Sequence, residues 1–125
     1  MEISKEYAEY AMQKAVELLK IDSPTGYTGK ATEWVIKEFS SLGYKVKRSN
    51  KGAVLVDMGG DETNPENGLL FEAHIDTVGM MVTEIKSNGR VRLSKVGGVY
   101  PQTATRKMSV FIQETAEYTR EQFSL

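Results

Sequence analysis

The stretch that most constrains the fold of this chain runs from Leu69 to Val82 and reads LLFEAHIDTVGMMV. A continuous apolar run bounded by turn residues predicts a buried strand, here Leu69–Ala73, which needs cover on both faces. Directly after it come His74, the only histidine of the chain, and Asp76. We therefore expect a sheet in which the carboxyl end of one buried strand presents an imidazole and a carboxylate.

Length and composition narrow the class of protein further. The 125 residues suffice for one domain of ordinary size, and a hydrophobic content of 40% supports a packed core. The formal net charge of −1 provides no basic excess for a nucleic-acid or anionic-membrane surface. Because the chain has no cysteine, disulfides, thiolate zinc sites and cysteine nucleophiles are excluded. No signal peptide or membrane span is visible, so we expect a cytoplasmic protein.

Two amphipathic helices are predicted in the first third of the chain. The first begins at Ser4 and reaches about Lys20, and the second begins at Thr28 and reaches Leu42, where Gly43 suits a left-handed C-terminal cap. Each helix carries an apolar stripe at helical spacing, which we expect to face the core. The first stripe consists of Tyr7, Ala11, Ala15, Leu18 and Leu19 with Met12 and Val16 beside it, and the second consists of Ala31, Val35, Phe39 and Leu42.

Short strands and turns fill the rest of the chain. The alternation of apolar and polar residues predicts an edge strand before the central stretch and a hairpin after it, around the turn Ser87–Gly89. Near Gly79 the predicted structure changes from α/β to β-rich, which makes this the best candidate for a domain boundary. The predicted strands are Tyr44–Arg48, Ala53–Met58, Leu69–Ala73, Met80–Ile85, Arg90–Leu93 and Met108–Gln113.

The histidine and the carboxylate at the end of the central strand are the candidate functional residues. Residues two apart on a strand point to the same side, so His74 and Asp76 can address one pocket, and Glu72 would share that face. A neutral imidazole is a common metal ligand, and a nearby carboxylate can orient its ring or assist a base. The alternative is structural: a hydrogen-bonded histidine, with Asp76 capping a turn. Ser23 and Thr25 are expected to be turn residues rather than nucleophiles.

The phrase AHIDTVG, followed by MMVTEI, resembles the glutamyl aminopeptidase family of co-catalytic metallopeptidases, the tetrahedral aminopeptidase type. In this resemblance His74 matches a metal ligand, Asp76 the acid that supports the site, and Gly79 the glycine of the motif. The loop Ser23–Tyr27 and the pair Gly97–Gly98 are similar to further features of the family. The order of helices and strands also agrees, so the resemblance covers nearly the whole chain.

The resemblance implies both a fold and an activity. The fold is α/β: part of a three-layer α/β/α zinc-peptidase-like domain over residues 1–79, followed by the start of a β-rich inserted domain over residues 80–125. The activity is that of a metalloaminopeptidase, a hydrolase that removes N-terminal residues from peptide substrates with two divalent metals per complete site, zinc or cobalt. His74 is the expected metal residue and Asp76 the expected catalytic residue. A homo-oligomer is expected, with no nucleic-acid or membrane partner.

The ligands for such a site are incomplete in this chain. Members of the family need a bridging aspartate, a Glu-Glu pair, a further acid and a second histidine, and this chain to Leu125 has no second histidine. A catalytic zinc typically takes three protein ligands, and His74, Asp76 and Glu72 on one strand cannot surround an ion. We therefore expect one corner of an active site, in a fragment, a truncated gene product or part of a split enzyme that is inactive alone. The alternative is a non-catalytic module that associates with itself or another chain through an exposed sheet surface.

Overall fold

The computed structural model describes residues 4–60 and 68–100. Within these ranges two helices precede two antiparallel hairpins, which form separate two-stranded sheets. This α/β content agrees with the predicted class, and the predicted strand at residues 108–113 lies outside the described residues. The elements are α1 (Lys5–Leu19), α2 (Gly29–Ser41), β1 (Lys45–Arg48), β2 (Val54–Asp57), β3 (Gly79–Ile85) and β4 (Val91–Val96).

Both helices begin where their capping residues predict. Ser4 is the N-cap of α1, and its hydroxyl oxygen accepts a 3.5 Å hydrogen bond from the Tyr7 N–H. Thr28 occupies the N-cap position of α2, although its side chain makes no capping hydrogen bond. No helix of the described ranges is long and apolar enough to cross a membrane.

The end of α2 is set by a glycine. Gly43 has φ of +88°, and its N–H donates to the Ser40 carbonyl at 3.0 Å while the Tyr44 N–H donates to the Phe39 carbonyl at 3.1 Å. These two bonds form a Schellman motif. The Phe39 and Tyr44 rings meet edge to face, with centroids 6.1 Å apart, and supply the hydrophobic contact that accompanies this motif. The predicted C-terminal cap at Gly43 is therefore confirmed.

The packing of α1 on α2 corrects the predicted core face of α1. Lys14 Nζ lies 2.9 Å from Glu38 Oε1, and the Tyr10 hydroxyl donates to the same oxygen at 2.9 Å. Glu17 Oε2 contacts the Lys14 ammonium from its own helix at 3.3 Å. The polar side of α1 therefore faces α2, because Glu38 satisfies two of its donors. Most of the predicted apolar stripe is exposed instead, as at Tyr7 (70%) and Leu19 (73%), and within the stripe only Leu18 is half-buried.

The hairpin β1–β2 packs against α2 with one face only. Val46 pairs with Val56 in the register of the two strands, and both are half-buried, whereas Lys45 and Lys47 on the other face are exposed. This confirms the predicted edge strand. The next strand was expected to be mostly buried, but Leu55 in β2 is 54% exposed. Within the described residues only one face of this hairpin has an element packed against it.

The prediction of a buried strand at Leu69–Ala73 is wrong for this structure. Residues 68–76 have no strand geometry, and the apolar side chains at their start are almost fully exposed. A strand needs a neighbour to satisfy its N–H and C=O groups, and no strand of the described ranges lies beside this segment. The exposed side chains are Leu69 (78%), Leu70 (81%) and Phe71 (86%).

The predicted second hairpin is confirmed. β3 and β4 pair from Gly79–Val96 to Ile85–Val91, with a shift in register between Val82 and Glu84. The turn is closed by the Lys86 N–H, which donates to the Arg90 carbonyl at 2.8 Å. This hairpin begins directly after the candidate site, so its first residues help to hold the site in position.

Candidate functional site

The loop between α1 and α2 pairs with the backbone just after the predicted histidine. Pro24 and Thr77 form an isolated parallel bridge, in which the Thr77 N–H donates to the Ser23 carbonyl at 2.8 Å and the Thr25 N–H donates to the Thr77 carbonyl at 3.3 Å. The Ser23 hydroxyl, on a side chain that is 2% exposed, donates to the Ile75 carbonyl at 2.8 Å. One short loop thus fixes the backbone that carries both predicted site residues.

Close packing reinforces this pairing at the start of β3. A Cβ atom on Gly79 would lie 2.7 Å from the Cβ atom of Pro24, closer than carbon atoms can approach without a shift. The proline ring is rigid, so only glycine lets the two segments meet at this distance. At the other end of the hairpin, a Cβ on Gly97 would lie 3.7 Å from Val78 Cγ1, which is ordinary contact.

The structure brings the two predicted site residues together. His74 Nδ1 lies 3.1 Å from Asp76 Oδ1 and 3.0 Å from the Asp76 backbone oxygen. The His74 side chain is 86% exposed, whereas that of Asp76 is 37% exposed. The contact is made across one intervening residue in an irregular segment, not along a strand as the sequence predicted. The imidazole therefore projects into solvent, with one nitrogen held by the aspartate.

A third side chain completes the contacts of the aspartate. The Thr25 hydroxyl donates to Asp76 Oδ2 at 2.6 Å, so each carboxylate oxygen has its own partner. The hydrogen bond from Thr25 is the main reason that the pKa of the Asp76 carboxyl lies below its usual value, and the hydrogen bond from His74 adds to it. Partial desolvation opposes this shift. Asp76 is thus held as the carboxylate beside an accessible imidazole.

A cleft borders this group of residues. It has a volume of about 360 Å³ and lies between the C-terminal end of α1 and the segment 74–78. The cleft therefore places apolar side chains of α1 beside the imidazole and the carboxylate. Its lining residues are Leu18, Leu19, Ser23, His74, Ile75, Asp76, Thr77 and Val78.

The described residues contain one potential metal ligand with its support, and not a full coordination shell. His74 with an aspartate on its Nδ1 is the usual arrangement of a metal-binding histidine, in which the other nitrogen binds the ion. Across residues 4–60 and 68–100, however, no three histidine, aspartate or glutamate side chains are grouped so that they could hold a metal ion. Glu72 therefore does not join His74 and Asp76, because the strand that would have aligned the three residues is not formed.

Sequence reasoning missed the roles of Ser23 and Thr25. Both lie in the loop between α1 and α2, but their hydroxyls bind the site segment more than 50 positions further along the chain. No local pattern marks such a contact. The one available signal was that the loop SPTGY and the phrase AHIDTVG belong to the same family resemblance.

Comparisons with known proteins relate this chain to a family of aminopeptidases. The family model of the M42 glutamyl aminopeptidases matches residues 52–120, which is more than half of the chain and includes His74 and Asp76. The chain is 32% identical over 87 residues to "Putative aminopeptidase YhfE" of Bacillus subtilis (strain 168), an alignment that covers 70% of this chain and 25% of that protein. It is 28% identical over 88 residues to "Glutamyl aminopeptidase" of Lactococcus lactis subsp. cremoris (strain MG1363), covering 70% of this chain and 24% of that protein.

The matches differ in how much of each protein they cover. The alignments span about a quarter of the length of each curated relative. The family model, by contrast, covers residues 52–120, a range that includes His74, Asp76 and both strands of the second hairpin. The chain therefore belongs to the M42 glutamyl aminopeptidase family.

Proposed function

We propose that this chain supplies the amino-terminal part of a metal-dependent aminopeptidase that removes N-terminal residues from peptides. His74 contributes one ligand to a divalent metal site, zinc or cobalt, and Asp76 orients the ligand. The other ligands and the general base come from residues outside those described, so the 125-residue chain alone does not hydrolyse peptides. A cytoplasmic location belongs to the same proposal.

The observation that carries this proposal is the contact between His74 Nδ1 and Asp76 Oδ1 at 3.1 Å, within the segment that matches the M42 family. A carboxylate on one ring nitrogen of an exposed histidine leaves the other nitrogen to bind an ion. The neighbouring cleft of about 360 Å³ gives a substrate side chain an apolar wall next to that position.

The finer architecture belongs to the same proposal. We propose that residues 1–79 form part of a three-layer α/β/α domain and that residues 80–125 begin a β-rich inserted domain. The solvent-exposed run Leu69–Phe71 supports this, because a further layer of the domain would cover these apolar side chains. The paired hairpin β3–β4, directly after Gly79, supports the proposed boundary.

A chimera tests the proposed activity. The matched region of the Lactococcus lactis glutamyl aminopeptidase is replaced by the corresponding residues of this chain, and release of amino acids from peptides is measured with added zinc or cobalt. We expect activity in the chimera and a loss of at least about 100-fold with His74→Ala, in line with the loss of a metal ligand. A folded chimera that is inactive, or whose activity is unaffected by His74→Ala, contradicts the proposal.

A second candidate function is association without catalysis, through the apolar surface of the isolated chain. The exposed apolar side of α1 and the segment Leu69–Phe71 favour it. In this case the chain binds a second copy or another chain with those surfaces. A dilute sample that sediments as a clean monomer and binds no apolar dye would count against this candidate.

A further inference from the structure

We propose that Thr25 is a positioning residue: its hydroxyl fixes the Asp76 carboxylate so that the opposite oxygen holds His74 in the Nδ1–H tautomer. The Nε2 lone pair is then presented to a metal. The metal-binding part of this inference depends on the proposed function, but the effect of Thr25 on the tautomer does not. Nothing in the family match assigns Thr25, which lies before the matched residues 52–120.

The tautomer follows from the two atoms that face His74 Nδ1. One is a carboxylate oxygen of Asp76 at 3.1 Å and the other is a backbone carbonyl oxygen at 3.0 Å. Both are acceptors, so Nδ1 carries the proton and Nε2 carries the lone pair. An unconstrained neutral histidine prefers the opposite tautomer. The population of the Nδ1–H form therefore reports how well these two acceptors, the Asp76 carboxylate and the Asp76 carbonyl, are held against the ring.

The Thr25 hydroxyl is the group that can hold the Asp76 carboxylate in position. A carboxylate turns about its terminal side-chain bond with little restriction, and Asp76 is 37% exposed, so water competes for its oxygens. The hydrogen bond from the Thr25 hydroxyl is short, 2.6 Å, and binds the oxygen that faces away from the ring. With Asp76 Oδ2 bound by Thr25, Asp76 Oδ1 faces His74 Nδ1 at 3.1 Å.

The backbone makes Thr25 a fixed support. Its N–H donates to the Thr77 carbonyl at 3.3 Å, and Ser23 and Pro24 join the same pairing on the other side. The hydroxyl is therefore attached to a loop that is already bound to the segment carrying Asp76. The resulting chain of contacts runs from Thr25 Oγ1 through Asp76 to His74 Nδ1, and each step is 3.1 Å or less.

Two hydroxyls of the same loop provide matched variants. Thr25→Val removes the hydroxyl and keeps the shape, Thr25→Ser keeps the hydroxyl, and Ser23→Ala removes a hydroxyl that binds the Ile75 carbonyl instead of Asp76. Because His74 is the only histidine, one set of ring ¹⁵N signals reports its tautomer in the full 125-residue chain. The spectra are recorded without metal at mildly alkaline pH.

We expect the wild type and Thr25→Ser to show mainly the Nδ1–H form and Thr25→Val to shift toward the Nε2–H form. Ser23→Ala should leave the tautomer close to that of the wild type while its backbone signals report a folded chain. A Thr25→Val protein with the wild-type tautomer overturns the inference, and so does a shift of equal size in Ser23→Ala, since that would indicate a general loosening of the loop.

A zinc titration of the same samples separates this inference from the proposed function. If both hold, Zn²⁺ perturbs the His74 ring signals, and Thr25→Val weakens the apparent affinity about 10-fold, as for other groups that orient a metal ligand. A tautomer shift without any zinc binding at His74 in the wild type supports the role of Thr25 and contradicts the metal role. Zinc binding with the same affinity and the same tautomer in Thr25→Val supports the metal role and overturns this inference.

Discussion

At the residue scale, the site depends on contacts between two short segments that are far apart in sequence. The loop Ser23–Thr25 makes two backbone bonds and two hydroxyl bonds to residues 75–77, and Pro24 packs on Gly79. The hydroxyls satisfy a carbonyl and a carboxylate, whereas the proline and the glycine set the distance between the chains. Each of these residues can therefore be tested by a change that removes one property and keeps the others.

The close contact of Gly79 with Pro24 gives the sharpest residue-scale prediction. Gly79→Ala places a methyl group 2.7 Å from the Pro24 ring, which must move the two segments apart. We expect a loss of about 1–3 kcal/mol in the free energy of unfolding, measured by urea denaturation. The control is Gly98→Ala, where nothing lies within 4 Å of the new atom and the change should be below about 0.5 kcal/mol. Equal stabilities of the two variants would contradict the packing argument.

At the element scale, α2 is the unit that contacts both α1 and the first hairpin. It is terminated by the Schellman motif around Gly43, it contacts β1 and β2, and near its start Ala31 and Thr32 are the most buried residues of the helix. The two glycines at its ends differ in backbone conformation, because only Gly43 has a positive φ. Gly29 lies in the first turn with open space around it, whereas Gly43 has φ of +88°.

The same substitution should therefore have opposite effects at the two ends of α2. Gly29→Ala removes conformational freedom from the unfolded chain and should stabilise the protein by about 0.5 kcal/mol. Gly43→Ala forces a side chain into the left-handed region and should destabilise it by about 1–2 kcal/mol. Thermal unfolding followed by circular dichroism at 222 nm measures both changes. If the two variants shift the midpoint in the same direction, the assignment of this cap is wrong.

The polar contact between α1 and α2 predicts a dependence of stability on pH. The hydrogen bonds from Lys14 and, secondarily, Tyr10 lower the pKa of the Glu38 carboxyl in the folded protein. A lowered folded pKa contributes stability that is present above the unfolded pKa of about 4.3 and is lost as the pH falls through the folded value. The wild type should therefore lose stability on acidification below about pH 5 more steeply than Glu38→Gln.

The matched control for this pH effect is Glu33→Gln, on an exposed position of the same helix. Urea denaturation at several pH values compares the three proteins, and only Glu38→Gln should flatten the acid limb. The remaining acid dependence of that variant has other sources, since the pKa values of Glu17 and Asp76 are also lowered by hydrogen bonds. An identical acid limb in the wild type and Glu38→Gln would show that the interhelix contact is not formed in solution.

At the scale of the whole molecule, the described residues expose more apolar surface than a stable isolated domain usually does. The apolar side of α1, the segment Leu69–Phe71 and the two hairpins all contribute large side chains to the surface. Fully burying one such side chain is worth about 1.5–3 kcal/mol, so covering several of them is a strong drive to associate. Both proposed functions provide that cover, either from the rest of a peptidase domain or from another chain.

The association of the isolated chain follows at this scale. We expect the wild-type chain to bind an apolar dye and to show, in sedimentation at micromolar concentration, a mass greater than that of the monomer. The double variant Met12→Lys with Leu19→Lys should reduce both signals, because it interrupts the exposed side of α1. Glu33→Lys changes the formal net charge by the same two units on an exposed position of α2 and should not reduce them. If both variants reduce dye binding and association equally, the added charge and not the loss of apolar contact is the cause.

Local patterns in the sequence were enough to predict both helices and both hairpins of the described residues. The cap at Ser4, the glycine at Gly43 and the hairpin turn at Ser87–Gly89 were all predicted, because each depends on neighbours within a few positions. The phrase around His74 and Asp76 marked both residues as candidates, and the structure places their side chains 3.1 Å apart. Their roles in metal binding and catalysis belong to the proposed function.

Only the tertiary structure decided which faces are covered and what supports the aspartate. An apolar stripe specifies a face that benefits from burial but not the element that covers it, so α1 packs through Lys14 and its predicted core face is exposed. In the same way, an apolar run becomes a strand only beside a partner, and Leu69–Ala73 has none among the described residues. The hydrogen bond from Thr25 to Asp76 joins residues 51 positions apart, and a contact of that kind exists only once the chain has folded.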